Sequence, residues 1–331
     1  MLLNKTLSKS NNELQNQLIK LFHSSGIPLH FNKTGNKEFT NYQRISLIIL
    51  LRRSKKSLRD FVVELRESRW TSWLGLRRIP GKSTLHDWIK RSEMKTIRQL
   101  FKLLKPQKST LTAIDGTGFD SWQRSRHYEK RANEIGDLPH MIYAKADLFI
   151  DVKTRKVLDF NLNFTRIHDV KVAEKIFKRI NLKGKIILAD RGYDSEHLHE
   201  IIRNKGGILY APVRKMDKKA FKRKKPGGFY RRKCIELPEY YHQRSIIEAI
   251  NFSIKKKQIT SLLSKKKYMQ KREFGWHMIV YNLRIELNET QFPQEIGQNY
   301  FFILIGIYVF PDSAEFGKVF YILAFFKFHG F

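Results

Sequence analysis

The sequence predicts an α/β protein in which a mixed sheet flanked by helices follows a small all-helical, helix-turn-helix-like domain. Between residues 41 and 104 the apolar residues recur at the spacing of amphipathic helices. Beyond Pro106 the pattern becomes that of extended chain, with three strands followed by alternating helices and strands. That order favours a mixed sheet covered by helices. We therefore divide the chain into a flexible N-terminal segment (1–40), a helical domain (41–106), an α/β domain (107–290) and an atypical apolar tail (291–331).

The helical domain carries its own start and turn signals. Apolar residues in 58–65 repeat at i, i+3, i+4 and i+7 behind Ser57, whose hydroxyl is expected to cap that helix. Pro80-Gly81-Lys82 is expected to form a turn, after which Ser83 or Thr84 would cap the next helix. Short helices, a tight turn and many cations favour a helix-turn-helix-like module that places this last helix against DNA. An ordinary helical bundle gives the same pattern.

The α/β domain is expected to hold five strands and two intervening helices. The predicted strands are 111–119, 143–152, 157–164, 185–189 and 208–213, and the predicted helices lie around 170–180 and 196–205. The segment 214–233 is dense in Lys and Arg around a Pro-Gly-Gly, so we expect a solvated loop that contacts nucleic acid.

The charge of the chain indicates a polyanionic partner. Lys and Arg total 64 against 31 Asp and Glu, which gives a formal net charge of +33. Such an excess is typical of proteins that bind a nucleic-acid backbone, although a basic ribosomal or chromatin-like protein shares it. Cys234 is the only cysteine, which excludes an intramolecular disulfide and a multi-cysteine zinc site and fits a reducing cytoplasm. The first 15 residues lack an apolar core, so we expect no secretory signal.

Two aspartates stand at predicted strand ends. Asp115 follows an apolar half-strand and precedes Gly-Thr-Gly, and Asp190 ends the strand KIILAD. Ligand-binding residues gather at such ends, so the two carboxylates are expected to converge. Taken singly, each aspartate is equally well explained as the cap of a turn.

A third acid belongs to a stripe on a predicted helix. Tyr241, Arg244, Glu248, Phe252 and Lys255 are separated by three or four residues, so they share one face, and isoleucines occupy the opposite face. Arginine and lysine in this arrangement are suited to gripping phosphates, and a carboxylate between them is suited to a metal ion. A plain salt bridge between residues four apart is the alternative.

These residues carry a resemblance to a known family. The string YHQRSIIEAINFSIK (241–255) has the Tyr-x2-Arg-x3-Glu-x6-Lys spacing of insertion-sequence DDE transposases of the family-4/family-5 group. LTAIDGTGF and ILADRGYDS resemble that group's two aspartate motifs, and SRHYEKRA, the Ile-His-Asp of 167–169 and VYNLRIEL are similar to segments of its archaeal members. The resemblance spans about residues 41–287.

The resemblance implies an RNase H-like fold in which Asp115, Asp190 and Glu248 bind two divalent ions, Mg²⁺ with Mn²⁺ as a substitute. Paired ions at three carboxylates suit in-line displacement at phosphorus, for both hydrolysis and strand transfer. Tyr241, Arg244 and Lys255 would then hold DNA phosphates. The implied protein is a transposase of a transposable element in the prokaryotic cytoplasm, acting as a homodimer on double-stranded DNA, with both terminal repeats and target DNA as partners.

Other interpretations stay open at this stage. The chain also fits a catalytically silent DNA-binding protein derived from a transposase, and a nuclease of the same fold. The 57 residues between Asp190 and Glu248 leave no room for the large β-rich insertion of some relatives. His168 and Asp169 are expected to cap a turn, with an approach to the site as the alternative. The tail at 291–331 is read as a helical hairpin or as sequence past the usual gene end; its apolar runs are too short to span a membrane, so no membrane association is expected.

Overall fold

A five-stranded mixed sheet forms the centre of the protein. The computed structural model describes residues 2–31, 37–120, 143–165, 167–214 and 227–287. The strands are β1 (Leu111–Asp120), β2 (Tyr143–Asp151), β3 (Val157–Asn163), β4 (Ile186–Ala189) and β5 (Ile208–Tyr210). They lie in the order β3-β2-β1-β4-β5, with β1 antiparallel to β2, β2 antiparallel to β3, and β4 parallel to both β1 and β5. The predicted mixed sheet is confirmed, and each strand lies within three residues of its expected bounds.

Eleven α-helices lie within the described residues. They are α1 (Leu2–Ser25), α2 (Asn41–Ser54), α3 (Leu58–Glu67), α4 (Trp70–Trp73), α5 (Lys82–Arg91), α6 (Met94–Leu103), α7 (Asp169–Lys178), α8 (Glu196–Asn204), α9 (Phe229–Arg232), α10 (Ser245–Ser253) and α11 (Lys267–Glu286). None of the helices in this part of the chain has the length and apolarity that a bilayer crossing requires.

Helices cover both faces of the sheet. On one face α7 and α8 enclose an apolar core, to which β1 contributes Ile114 and β2 contributes Phe149. On the other face α11 packs against β3, α2 and α6. The Phe274 ring of α11 meets Phe119 and Phe160 edge-on, with centroids 5.4 and 5.5 Å apart. Helix α11 thus contacts both the N-terminal helices and the sheet, and the division at residue 106 into separate domains stays a prediction.

The N-terminal segment, which the sequence analysis treats as flexible, contains a long helix. Helix α1 extends over residues 2–25, and Leu14, Leu18 and Leu21 are 1%, 2% and 4% exposed. These leucines are four and three residues apart and therefore share one helical face. In the sequence analysis, the many polar residues around these leucines carried more weight than their helical spacing.

The helix caps agree with the sequence in one case and differ in another. The Ser57 hydroxyl accepts a hydrogen bond from the Asp60 N–H at 3.2 Å, which confirms the predicted cap of α3. The expected cap of α5 is wrong, because α5 begins at Lys82 and the extended Gly81 precedes it. Ser83 and Thr84 therefore lie inside the first turn.

Three sequence predictions fall on residues outside the described part of the chain. They concern the SRHYEKRA motif within 121–142, most of the basic segment within 215–226, and the apolar tail within 288–331. The last residues of the basic segment are described, and they form the short helix α9 instead of continuing as a loop.

Candidate active site

Asp115 and Asp190 occupy adjacent positions in the middle of the sheet. The parallel pairing of β1 with β4 ends at Ile114 opposite Ala189. The next residues along the two chains are the two aspartates. Two strands that run in the same direction therefore present them side by side. Asp190 follows the end of β4 as predicted, whereas Asp115 lies inside β1, which continues to Asp120, and not at a strand end.

The backbone directly after β4 holds the Asp190 carboxylate. The Gly192 N–H donates a hydrogen bond of 2.8 Å to Asp190 Oδ1. Asp190 thereby caps a short 3₁₀ turn, Arg191–Tyr193. Capping and convergence, which the sequence presented as alternatives, both occur at this residue.

The segment that carries Glu248 consists of three consecutive helical types and corrects the expectation of one continuous α-helix. A 3₁₀ helix (Glu239–Arg244) leads into α10, and a π-helix (Ile254–Gln258) follows it. Three residues complete a 3₁₀ turn, so Tyr241 and Arg244 still share a side of the chain. Of the isoleucines predicted for the opposite, buried face, Ile247, Ile250 and Ile254 are fully buried, whereas Ile246 is only half-buried.

Glu248 contacts Arg244, one turn earlier on the same segment. The Glu248 side chain is 56% exposed, whereas that of Arg244 is 23% exposed. The salt bridge that the sequence left as an alternative is therefore present. Because one partner is open to solvent, this contact stabilises the fold only weakly.

Asn251 fastens α10 to β1, and the sequence interpretation did not single it out. Its Nδ2 donates a hydrogen bond of 3.0 Å to Asp115 Oδ2. Asn251 lies three residues after Glu248, so the two side chains share a helical face. The one available signal was a polar residue at that spacing on a helix otherwise rich in isoleucine.

The three acidic side chains share one electrostatic environment. Burial raises the pKa of Asp115 to about 6. The Gly116 N–H and Arg244 lower this pKa, whereas the carboxylates of Asp190 and Glu248 raise it. Negative charge is thus concentrated around Asp115, which is the condition that a bound cation relieves.

Of the other three residues of the stripe, Tyr241 contacts the chain directly before Asp190, and Lys255 lies near β1. The Tyr241 hydroxyl donates a hydrogen bond of 2.8 Å to the Ala189 carbonyl, directly before Asp190. Burial raises the pKa of Tyr241, so its hydroxyl stays a hydrogen-bond donor. The Lys255 ammonium lies 5.7 Å from the centroid of the Phe119 ring on β1.

The carboxylates of Asp115, Asp190 and Glu248 are chemically suited to bind a divalent metal ion. Carboxylate oxygens are the hard ligands that Mg²⁺ prefers. Within the described residues, however, no three His, Cys, Asp or Glu side chains are close enough together to ligate one ion. Glu248 is directed to Arg244 in this conformation, and a shared metal site requires it to turn toward the aspartates.

His168 and Asp169 do not act as the predicted turn caps. His168 stands at the N-cap position of α7, but its side chain makes no capping hydrogen bond. The Asp169 carboxylate instead contacts the Lys145 ammonium on β2. The expectation considered the local chain alone, and the strand that supplies Lys145 lies 24 residues earlier.

A mixed sheet with one aspartate inside β1 and a second directly after β4, faced by a helix that bears a glutamate, defines an α/β protein with a carboxylate-rich site. The family model for the transposase DDE domain matches residues 106–283, which is more than half of the chain. The chain therefore belongs to the DDE-domain transposase family.

Among solved structures, the chain is similar to the piggyBac transposase in the cryo-EM structure of its synaptic complex with hairpin DNA. The TM-score is 0.43 and the sequence identity is 12%, over 84% of this chain and 72% of that one. No curated protein matches the sequence.

Proposed function

We propose that this transposase belongs to an insertion sequence of the family-4/family-5 group, and that it cuts the element ends and joins them to target DNA. The observation that carries the proposal is the side-by-side placement of Asp115 and Asp190, with α10 tied to Asp115 through Asn251. Site residues on neighbouring strands and on a facing helix provide the rigid geometry that phosphoryl transfer requires.

Asp115, Asp190 and Glu248 are the proposed metal ligands. Members of the DDE family generally depend on divalent metal ions, and we propose two Mg²⁺ ions here, with Mn²⁺ as a substitute. When bound, such ions activate the attacking water or DNA 3′-hydroxyl and stabilise the leaving oxygen. The raised pKa of Asp115, about 6, fits a carboxylate whose charge is stabilised only after a cation binds.

Tyr241, Arg244 and Lys255 are the proposed DNA contacts. In this proposal Arg244 exchanges its bond to Glu248 for a DNA phosphate, which frees the glutamate to join the aspartates. Arginine suits this exchange because its planar fork pairs with either a carboxylate or a phosphate. Tyr241 keeps its hydrogen bond to the Ala189 carbonyl and thereby holds its own segment next to Asp190.

The proposed partner is double-stranded DNA, both the terminal repeats of the element and the target, bound by a homodimer. The net charge of +33 supports this choice, since a basic protein releases counterions from the DNA backbone on binding.

The test is cleavage of a plasmid that carries the DNA flanking this reading frame, with MgCl₂ and the full-length protein. We expect wild-type protein to nick and then join this DNA. D115N, D190N and E248Q should each leave product below detection while DNA binding in a mobility-shift assay persists. The control is Glu200→Gln on α8, the same substitution at a glutamate whose side chain is 55% exposed, and it should cleave like wild type.

The outcomes separate the proposal from its rivals. Undiminished cleavage by any one of the three variants contradicts the assigned triad. Binding without product in the wild type supports the catalytically silent DNA-binding protein. Cleavage without joining supports a nuclease.

A further inference from the structure

A second group of charged side chains lies directly behind Asp115, on the other face of the sheet. In the register of β1 with β2, Gly116 faces Asp147 and Gly118 faces Lys145, whereas Asp115 faces Leu148. Successive residues of a strand point to opposite faces. Lys145 and Asp147 therefore lie on the face that α7 and α8 cover, opposite to the face of Asp115.

Lys145 connects β2 with the beginning of α7. Its ammonium contacts the Asp169 carboxylate and lies 3.8 Å from Asp147 Oδ1. The side chains of Lys145, Asp169 and Asp147 are 17%, 29% and 0% exposed. An ion pair with this much burial is screened less by solvent than a surface pair, so it constrains its partners more strongly.

Two glycines of the aspartate motifs make room for this connection. A Cβ on Gly116 would overlap Cε of Lys145 and would lie 3.1 Å from Asp147 Oδ1. A Cβ on Gly192 would lie 2.9 Å from Asp190 Oδ1 and 3.0 Å from Asp169 Oδ2. Gly192 thus separates Asp169 from Asp190, and the Lys145–Asp169 pair touches the backbone that follows both site aspartates.

Two polar groups beside the pair are buried at a cost. Within the described residues, no hydrogen bond of good geometry reaches either Asp147 oxygen, although the nearby Asn163 side chain lowers the pKa of Asp147, and the buried Tyr193 hydroxyl has no partner. Burial raises the pKa of Asp147 to about 7, and Lys145 opposes that rise. Native proteins seldom keep such unsatisfied groups in their interior, and those that persist call for a functional reason.

We propose that Lys145 and Asp169 are positioning residues of the active site. Their ion pair holds the turn after Asp190 against β1, at the spacing that lets Asp115 and Asp190 share a divalent cation. This inference rests on the proposed function, because it assumes that the aspartates bind metal. Supporting residues behind metal ligands change metal affinity or activity by about 10- to 100-fold when they are replaced.

The test is calorimetric titration of the full-length protein with MnCl₂, without DNA, for wild type, D169N and a matched control. The control is Glu286→Gln, which breaks a second lysine–carboxylate pair of similar burial. In that pair Lys156 Nζ lies 2.6 Å from Glu286 Oε1, with side chains 13% and 23% exposed. We expect D169N to bind Mn²⁺ about 10-fold more weakly or worse. E286Q should stay within about twofold of wild type, since it removes the same charge elsewhere.

Equal Mn²⁺ affinity of D169N and E286Q overturns the inference. If D169N loses its circular dichroism spectrum, the double variant K145Q/D169N is titrated instead, because it leaves neither partner of the pair charged. Weakened binding in that variant supports the inference, and wild-type affinity overturns it. Failure of the proposed function is distinguishable, because the wild type itself would then bind no Mn²⁺ at the aspartates and would cleave no DNA.

Discussion

Two arginine–carboxylate pairs in this protein have the same chemistry and different surroundings. Asp194 accepts two hydrogen bonds of 2.7 Å from Arg231 and a third, of 2.9 Å, from the Arg214 N–H. The Asp194 side chain is fully buried. Glu248 is more than half exposed and contacts Arg244 alone among the described hydrogen bonds and ion pairs.

The difference shows which pair is structural and which is available for function. Three charge-assisted hydrogen bonds fix Asp194 and anchor α9 next to α8, so any rearrangement would leave a buried charge unpaired. Glu248 can exchange Arg244 for another cation with little loss, because water already solvates much of its carboxylate. The Arg244–Glu248 pair, which lies at the candidate active site, is therefore the pair that can rearrange.

The largest expected effect on stability comes from breaking the buried pair. D194N should lower the free energy of unfolding by about 3 kcal/mol, because removing one partner leaves Arg231 uncompensated. Urea denaturation followed by circular dichroism measures this change. A loss below about 1 kcal/mol would show that the Asp194–Arg231 pair is not structural.

A smaller effect on stability, which depends on pH, is expected at Asp147. This carboxylate is buried like that of Asp194 but lacks its three hydrogen bonds. The pKa of Asp147 is raised to about 7 by burial, from an ordinary value of 3.8. The folded state therefore holds this proton more tightly than the unfolded state, and the contribution of Asp147 to stability falls as pH rises from about 4 to 7.

The D147N variant lacks this pH dependence, because an amide replaces the ionisable carboxyl group. Its free energy of unfolding should accordingly rise relative to wild type by about 1 kcal/mol or more between pH 4 and 7. Urea denaturation of both proteins in EDTA at several pH values gives the difference, with D87N at an exposed aspartate as control. A difference that is flat with pH would show that Asp147 ionises as freely as a solvated carboxyl.

The smallest effect on stability is expected at the exposed pair. Arg244→Gln should change the free energy of unfolding by about 0.5 kcal/mol or less, the usual value for exposed pairs four residues apart on a helix. The same variant should weaken DNA binding in a mobility-shift assay, in keeping with its proposed phosphate contact. A destabilisation comparable to that of D194N would remove the distinction between the two pairs.

Local patterns in the sequence were enough to predict the sheet. Alternating and apolar runs identified all five strands, and the two aspartate motifs identified Asp115 on β1 and Asp190 directly after the neighbouring β4. The π-helix could not be predicted, because it depends on the Ile259 N–H reaching the Ile254 carbonyl and on contacts to the distant α11. Spacing alone implied a regular α-helix there.

The parts of the site that were missed depend on strand register. The Asn251 bond to Asp115 joins residues 136 positions apart, and Lys145 meets Asp169 because α7 packs on β2. Residue spacing describes one element at a time. It therefore predicted the carboxylates that each motif carries, and it could not predict the side chains that neighbouring elements bring to them.

The most direct test of the proposed metal site is a crystal structure of the protein soaked in MnCl₂, with the metal located by its anomalous scattering. We predict Mn²⁺ bound by Asp115 and Asp190, with the Glu248 carboxylate turned away from Arg244 and toward the metal. Mn²⁺ bound elsewhere in the protein, with Glu248 still paired to Arg244, would contradict this prediction.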